Sequence, residues 1–346
     1  MSNLTGHERP GVYSSYDASS VVDRAGGAKT VAVVAARGGG EGGQVYELTR
    51  YEQAVAAFGK EDRLTQLTRL LFLNGAAGVV AVPVAGEEGY QVAFDTLAQR
   101  EDIGVVVCDS TALAVQQALR ESVKEASEAR RERVAVVCGA TGETVAALVN
   151  RAQELNDPRV VLVAPCEVEG AGASVAAAVA GAIAASIDPA VPLGGAQLRG
   201  VTDLTARYGD GEIDLLVRGG VTPLESIAGT VSVVRGVTTK TKSGAAADTT
   251  WRELTTILIV DDVIPAIRNS LRAKFQRSKN TEQSRGAIRS QVILELENKL
   301  AKEIITGYDN VAVTAKEDDP TVCVVDFSFT VAHGLNQIWL TAHITV

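Results

Sequence analysis

Five short runs of small and β-branched residues recur along the first half of this chain: TVAVVAA (30–36), GVVAVPV (78–84), IGVVVCD (103–109), RVAVVCG (133–139) and RVVLVAP (159–165). They are apolar at nearly every position instead of at alternate ones. A strand without a polar face must be covered on both sides. Helices on both faces of a mostly parallel sheet give that cover, and they also supply the long crossovers that parallel strands require. The intervening segments fit this scheme. Arg50–Phe58, Leu64–Asn74, Thr111–Arg131 and Thr144–Leu155 read as helices, and Leu64, Leu67, Leu70, Leu71 and Leu73 form one apolar stripe. The residue supply agrees, since 46% of the residues are hydrophobic but only 4% are aromatic, which calls for a core of small side chains. A chain of 346 residues has room for one large domain or two ordinary ones. The alanine-rich stretch Ala173–Ile187, bounded by Glu169 and Asp188, is 15 residues long. A membrane span needs about 20, so a buried core helix is expected there.

Beyond about Leu193 the pattern changes. Ile227–Val237 reads as a strand, and Asp248–Phe275 and Glu282–Ile305 read as largely helical. In the second helix Ile288, Val292, Leu296, Leu300 and Ile304 recur every fourth residue, with Gly307 as the expected stop. Val311–Lys316 and Thr321–Thr330 read as strands joined by the turn-forming EDDP. In the last ten residues Ile338, Leu340, Ala342, Ile344 and Val346 alternate with Gln337, Trp339, Thr341, His343 and Thr345, a strand with one apolar face. At the other end, Met1–Ala28 has no helical period, and Met1–Tyr16 is polar with no apolar centre of the kind a signal peptide needs. Val12, Tyr13, Tyr16, Val21 and Val22 fit short extended pieces. Two readings of these ends stay open. They pair within their own subunit, or they add strands to the sheets of neighbours. In the second case the contact is heterologous, and without closure it builds a helical assembly.

Little in the chain points to a catalytic centre. GGGEGG (38–43) follows a strand, but its glycines lack the dinucleotide-binding spacing and no helix opens directly after them. GATGET (139–144) and GAGAS (170–174) lack the lysine of a phosphate loop and read as strand-to-helix turns. His7, His333 and His343 form no triad order with a nucleophile. Cys108, Cys138, Cys166 and Cys323 lie far apart and read as buried free thiols made in a reducing cytoplasm. Asp261 and Asp262 sit inside an apolar helix, point about 100° apart and have no evident third ligand. The expectation is therefore no metal and no cofactor. The rival reading is an α/β nucleotide-binding enzyme that uses the glycine-rich loops.

Charge is the positive signal. Residues 263–290 hold Arg268, Arg272, Lys274, Arg277, Lys279, Arg285 and Arg289 against the single acid Glu282, a net +6 on a chain of −9. The remainder therefore carries −15. Such a run suits a solvated face, nucleic acid or an acidic protein surface, and the acidic balance of the whole speaks against a general nucleic-acid binder.

Several separate stretches resemble the tail sheath proteins of contractile phage tails and phage-tail-like bacteriocin particles. They are ERPGVYSSYD (8–17), ELTRYEQAVAAFG (47–59) followed by LLFLNGAAGVVAVPV (70–84), SIDPAVPLGGAQLRGV (186–201), and RGVTT (235–239) followed by LTTILIVDDVIPAIRNSLRAKF (254–275). The resemblance implies an N-terminal arm over 1–28 and an outer α/β domain over 29–190. It also implies an α+β, tube-facing domain over 191–335 and a C-terminal arm strand over 336–346. The fold class expected is thus α/β: a middle domain with a mostly parallel sheet flanked by helices, plus an α+β C-terminal domain whose extended arms pair with neighbouring subunits. The implied function is that of a structural subunit and not an enzyme. It polymerises as a helical sleeve around an inner tube and contracts to drive that tube through a target envelope. The implied partners are other copies, the tube protein, and baseplate and tail terminator proteins, with no nucleic acid and no direct membrane insertion. The particle is expected to be assembled from protein made in the bacterial cytoplasm and to act outside the cell, and the shortness of the chain implies a single outer domain. Tube contact is expected from Arg268, Arg272, Lys274, Arg277 and Lys279. Strand exchange is expected from Val12, Tyr13, Tyr16, Val21, Ile338, Leu340, Ala342, Ile344 and Val346.

Overall fold

A computed structural model describes residues 29–37, 43–165, 175–202, 204, 206–244 and 246–342. The five valine-rich runs form β1 (Thr30–Ala36), β3 (Gly78–Val84), β4 (Ile103–Cys108), β5 (Val134–Cys138) and β6 (Val160–Ala164). With β2 (Tyr46–Leu48), β7 (Val221–Ile227) and β8 (Thr230–Val233) they make one eight-stranded sheet of order β2-β3-β1-β4-β5-β6-β7-β8. The strands from β3 to β7 run parallel, and β2 and β8 are short antiparallel edges. Alternate residues of one strand feed opposite faces, as the pleat requires. Val31, Val33 and Ala35 face one core, and Ala32 and Val34 the other.

On the first face lie α1 (Tyr51–Phe58), α2 (Arg63–Leu73) and α6 (Val175–Ala185). On the second lie α3 (Glu88–Ala98), α4 (Leu113–Glu128), α5 (Val145–Leu155) and α7 (Asp210–Arg218). Leu64, Leu67, Leu70 and Leu71 of the α2 stripe are buried against the sheet and α6, whereas Leu73 at the end of the helix is exposed. Helix α6 is the alanine-rich stretch, and it is a core helix, as its length implied. Gly181 lets α6 approach α2 closely: a Cβ there would stand 2.8 Å from the Leu71 carbonyl oxygen. Among the described residues no helix is long and apolar enough to cross a membrane.

A small hairpin, β9 (Lys242–Ser243) and β10 (Ala246–Ala247), leads to a second layer. Here α8 (Leu254–Phe275) and α9 (Glu282–Ala301) pack against the antiparallel pair β11 (Ile305–Ala315) and β12 (Cys323–Val331). Helix α8 serves two cores. Leu254, Ile257, Leu258 and Val260 join the first face of the large sheet, while Ile259, Val263, Ile267 and Leu271 join α9 and the hairpin.

The structure corrects several expectations. The large sheet continues past residue 190, since β7 and β8 extend it to Val233 and bury Val221, Leu224, Val231 and Val233 in its two cores. The expected strand over Ile227–Val237 is half of a hairpin, turned at Ala228–Gly229, where both residues have positive φ. The second long helix ends at Ala301 and not at Gly307, with Glu303 at φ 58° completing the turn into β11. Gly307 lies inside that strand. Helices α3 and α7 were not anticipated.

Candidate functional site

The places where a nucleotide would bind come first, because the α/β layering invites that reading. In doubly wound sheets ligands settle at the carboxyl ends of the strands, where the strand order reverses, here between β1 and β4. Asp109, the residue after β4, is held there by internal partners. It accepts from Arg63 Nε at 2.8 Å, from the Tyr90 hydroxyl, and from the Ala36 amide at 3.3 Å. Burial and the Asp109 carboxylate together push the Tyr90 hydroxyl well above the usual phenol range, so it stays a donor. Arg37 pairs with Asp62 at 3.1 Å. The GATGET turn holds an anion of its own. The Glu143 carboxylate accepts the Ala140 amide at 3.0 Å and pairs with Arg151 at 2.5 Å. A carboxylate in that position repels a phosphate. Of GGGEGG only Gly43 is described, and its amide donates to the Pro83 carbonyl. GAGAS lies outside the described residues, as do Cys166, His7 and His343.

Asp261 and Asp262 are both spoken for. Arg159 grips Asp261 with two nitrogens, at 2.7 and 2.9 Å, and Lys299 Nζ donates to Asp262. Burial raises the Asp262 pKa, against the pull of Lys299. Cys108 and Cys138 are buried, as expected, but Cys323 is part-exposed because it begins the hairpin strand β12.

Two surfaces remain. The first is the cationic turn between α8 and α9. Arg272 and Lys274 occupy the last turn of α8, where the helix dipole favours positive charge. The turn itself is fixed by Asn280, which donates to the Pro320 carbonyl at 2.8 Å and accepts from Arg285 at 2.9 Å. Thr281 caps α9 by accepting the Ser284 amide. Arg272, Lys274, Arg277 and Lys279 are exposed. Lys274 donates to Gln291 at 2.6 Å, whereas Arg272, Arg277 and Lys279 make no ion pair among the described residues. Arg268 is different and is withdrawn from this surface. It is 7% exposed and forms a buried ion pair with Glu132, two helical turns away from the open end of α8.

The second surface is the hairpin β11–β12. It is a sheet of only two strands, so each strand has an unpaired outer edge among the described residues. Residues 332–342 follow it without regular structure. Leu335, Ile338, Trp339 and Leu340 there are 74, 79, 89 and 91% exposed. The expected strand over 337–346 is therefore not formed within the chain as far as residue 342. A strand needs a neighbour for its amides and carbonyls, and none is provided among the described residues. Ile338, Leu340 and Ala342 lie in this exposed stretch. Val12, Tyr13, Tyr16, Val21, Ile344 and Val346 lie outside the described residues. The sequence missed the buried ion pairs, for which only the acidic pair within an apolar helix gave a hint.

Comparison with known proteins now adds to this geometry. Residues 84–239 match the phage tail sheath protein central domain and residues 246–345 the phage tail sheath C-terminal domain. The tail sheath protein of Bacillus phage SP01 is 28% identical over 258 residues, covering 71% of this chain and 43% of that protein. The tail sheath protein of Mycobacterium phage Bxz1 is 26% identical over 305 residues, covering 80% and 51%. The chain thus spans about half the length of these relatives. Among solved structures, the contracted helical sheath of the anti-feeding prophage superposes with a TM-score of 0.74 at 15% identity, covering 98% of this chain and 99% of that one. A chain of the same particle's baseplate superposes with a TM-score of 0.75 at 15% identity, covering 99% and 100%.

Proposed function

The chain belongs to the phage tail sheath family, and from that premise we propose that it is a structural subunit that polymerises as a helical sleeve around an inner tube. Contraction of the sleeve drives the tube through a target cell envelope. Work comes from rearranging a polymer, with no substrate, cofactor or nucleic acid involved and no insertion of this chain into a membrane. The relatives and structural neighbours are structural proteins, so the nucleotide-binding alternative has no support among them.

One observation carries the reading. Among the described residues, a two-stranded sheet with open edges is followed by a segment with exposed large apolar side chains and no pairing strand. Strands donated by neighbours complete such a sheet. Ile338, Leu340, Ala342, Ile344 and Val346 are the proposed donors at one end, and Val12, Tyr13, Tyr16 and Val21 at the other. Backbone hydrogen bonds contribute about 0.5–1.5 kcal/mol each, so a row of them holds while the segments beside it bend. The tube contact needs the opposite property, because it must break on contraction. Exposed ion pairs, worth about 0–1 kcal/mol each, suit that grip. Arg272, Lys274, Arg277 and Lys279 are proposed to face an acidic tube surface. Other partners proposed are the baseplate, in line with the baseplate match, and the tail terminator. The subunit is made in the bacterial cytoplasm and works outside it, as part of a virion or tail-like particle.

Charge reversal tests the tube contact. The triple variant Arg272→Glu, Arg277→Glu, Lys279→Glu should stay folded, yet fail to co-sediment with purified tubes and fail to sheathe them in electron micrographs. Normal sheathing by this variant would overturn the assignment.

A further inference from the structure

Charged residues that pair across a packed seam can set its register. At the amino ends of two neighbouring strands, Glu132 lies just before β5 and Arg159 just before β6. Both are buried, with side chains 2% exposed. Each meets a residue of α8 of opposite charge: Glu132 accepts from Arg268, and Arg159 donates to both oxygens of Asp261. Asp261 and Arg268 are seven residues apart, so they lie on one helix face. The polarity alternates: acid on the sheet and base on the helix in one pair, base on the sheet and acid on the helix in the other. A third pair, Asp262 with Lys299, ties α8 to α9. Between the pairs, Pro265 has no amide to give the Asp261 carbonyl.

We infer that the Glu132–Arg268 and Arg159–Asp261 pairs are a register lock that fixes α8 along the amino ends of the large sheet, making the α/β body and the α8–α9–hairpin unit one rigid lever. Leu254, Ile257, Leu258, Ile264 and Pro265 are buried apolar residues spaced about one turn apart, so apolar contact alone separates the registers less sharply than charge does. The charges do discriminate. A slip of one turn places Ile257 and Leu258, or Ile264 and Pro265, opposite Arg159 and leaves a buried guanidinium without its carboxylate. A slip of two turns brings Asp261 to Glu132 or Arg268 to Arg159. Buried like charges and buried unpaired charges are both heavily penalised. The same reasoning explains why a costly buried ion pair stands where leucine would pack: it specifies position more than it stabilises.

The inference does not depend on polymerisation, so it is tested on the full-length unassembled chain. Nitroxide labels at Lys124→Cys on α4 and Leu294→Cys on α9, with Cys166 and Cys323 changed to serine, report the distance across the seam by pulsed electron resonance. The unlocked variant Glu132→Gln, Arg268→Met, Arg159→Met, Asp261→Leu should stay folded, but its distance distribution should broaden or gain a second peak shifted by about 5.4 Å, one helical turn. The swapped variant Glu132→Arg with Arg268→Glu should return a single narrow distance, where Arg268→Glu alone does not. A single native distance in the unlocked variant would overturn the lock, and so would a swap no better than the single reversal. Should Arg268→Glu fail to fold, the unlocked variant decides. Sleeve formation by the unmodified chain tests the family function separately.

Discussion

The large sheet and the C-terminal hairpin treat their strands in opposite ways. Every residue of β5 and β6 is buried, and the sheet's two edges are short and antiparallel. No residue of the nine in β12 is fully buried, and of the eleven in β11 only Ile305 and Val311 are. A blunted edge resists pairing with other chains, whereas an open one invites it. Stability is thus concentrated in the α/β body and the capacity to associate in the hairpin and the segment after it. Between them, α8 belongs to both cores and carries the buried ion pairs.

The contrast can be broken from the body outward. The largest effect is expected at the seam. Asp261→Ala removes the carboxylate that the buried Arg159 grips with two nitrogens and should cost about 3–5 kcal/mol, read from urea unfolding with an unchanged m-value. A loss below 1 kcal/mol would mean that the seam is wet. Next comes Gly181→Val, which forces α6 away from α2. Overpacking of this kind costs about 1–3 kcal/mol and should lower the thermal midpoint without altering the hairpin's hydrogen exchange. The smallest concerns Asp157, whose pKa burial raises above the ordinary carboxylate value. The folded state then holds its proton to higher pH than the unfolded state does. The stability from this group is full below the unfolded pKa and declines as pH rises through the folded one. Asp157→Asn can still accept the Arg159 amide, and it should remove that decline. An unchanged slope of stability in the pH range just above the reference carboxylate pKa of about 3.9 would contradict it.

The body was legible in the sequence because its signal is local. An unbroken valine run calls for cover on both faces, and Leu64, Leu67, Leu70 and Leu71 supply some of it from one stripe. Helix α3 carries Tyr90, Ala93, Phe94 and Leu97 at helical spacing, but the polar Glu87, Glu88 and Gly89 at its N-cap and first turn obscured its start. The extent of the sheet was not legible, since β7 joins it only after α6, α7 and a long irregular crossing. Neither were the ion pairs, whose members are 136 and 102 residues apart. Arg268 looked like its exposed neighbours Arg272 and Lys274, and only the contact with Glu132 separates it from them. For the tail beyond β12, period-two alternation announced a strand, and among the described residues no neighbouring strand pairs with it.

Removal of residues 337–346 tests most directly whether this chain is completed by other copies. The truncated protein should keep the thermal midpoint of the full-length monomer within about 2 °C, because residues 337–342 are exposed and exposed positions contribute within about 0.5 kcal/mol. It should form no sleeves in negative-stain micrographs under conditions where the full-length chain forms them. Sleeves of normal length from the truncated chain would contradict the account, as would a monomer that unfolds once the segment is gone.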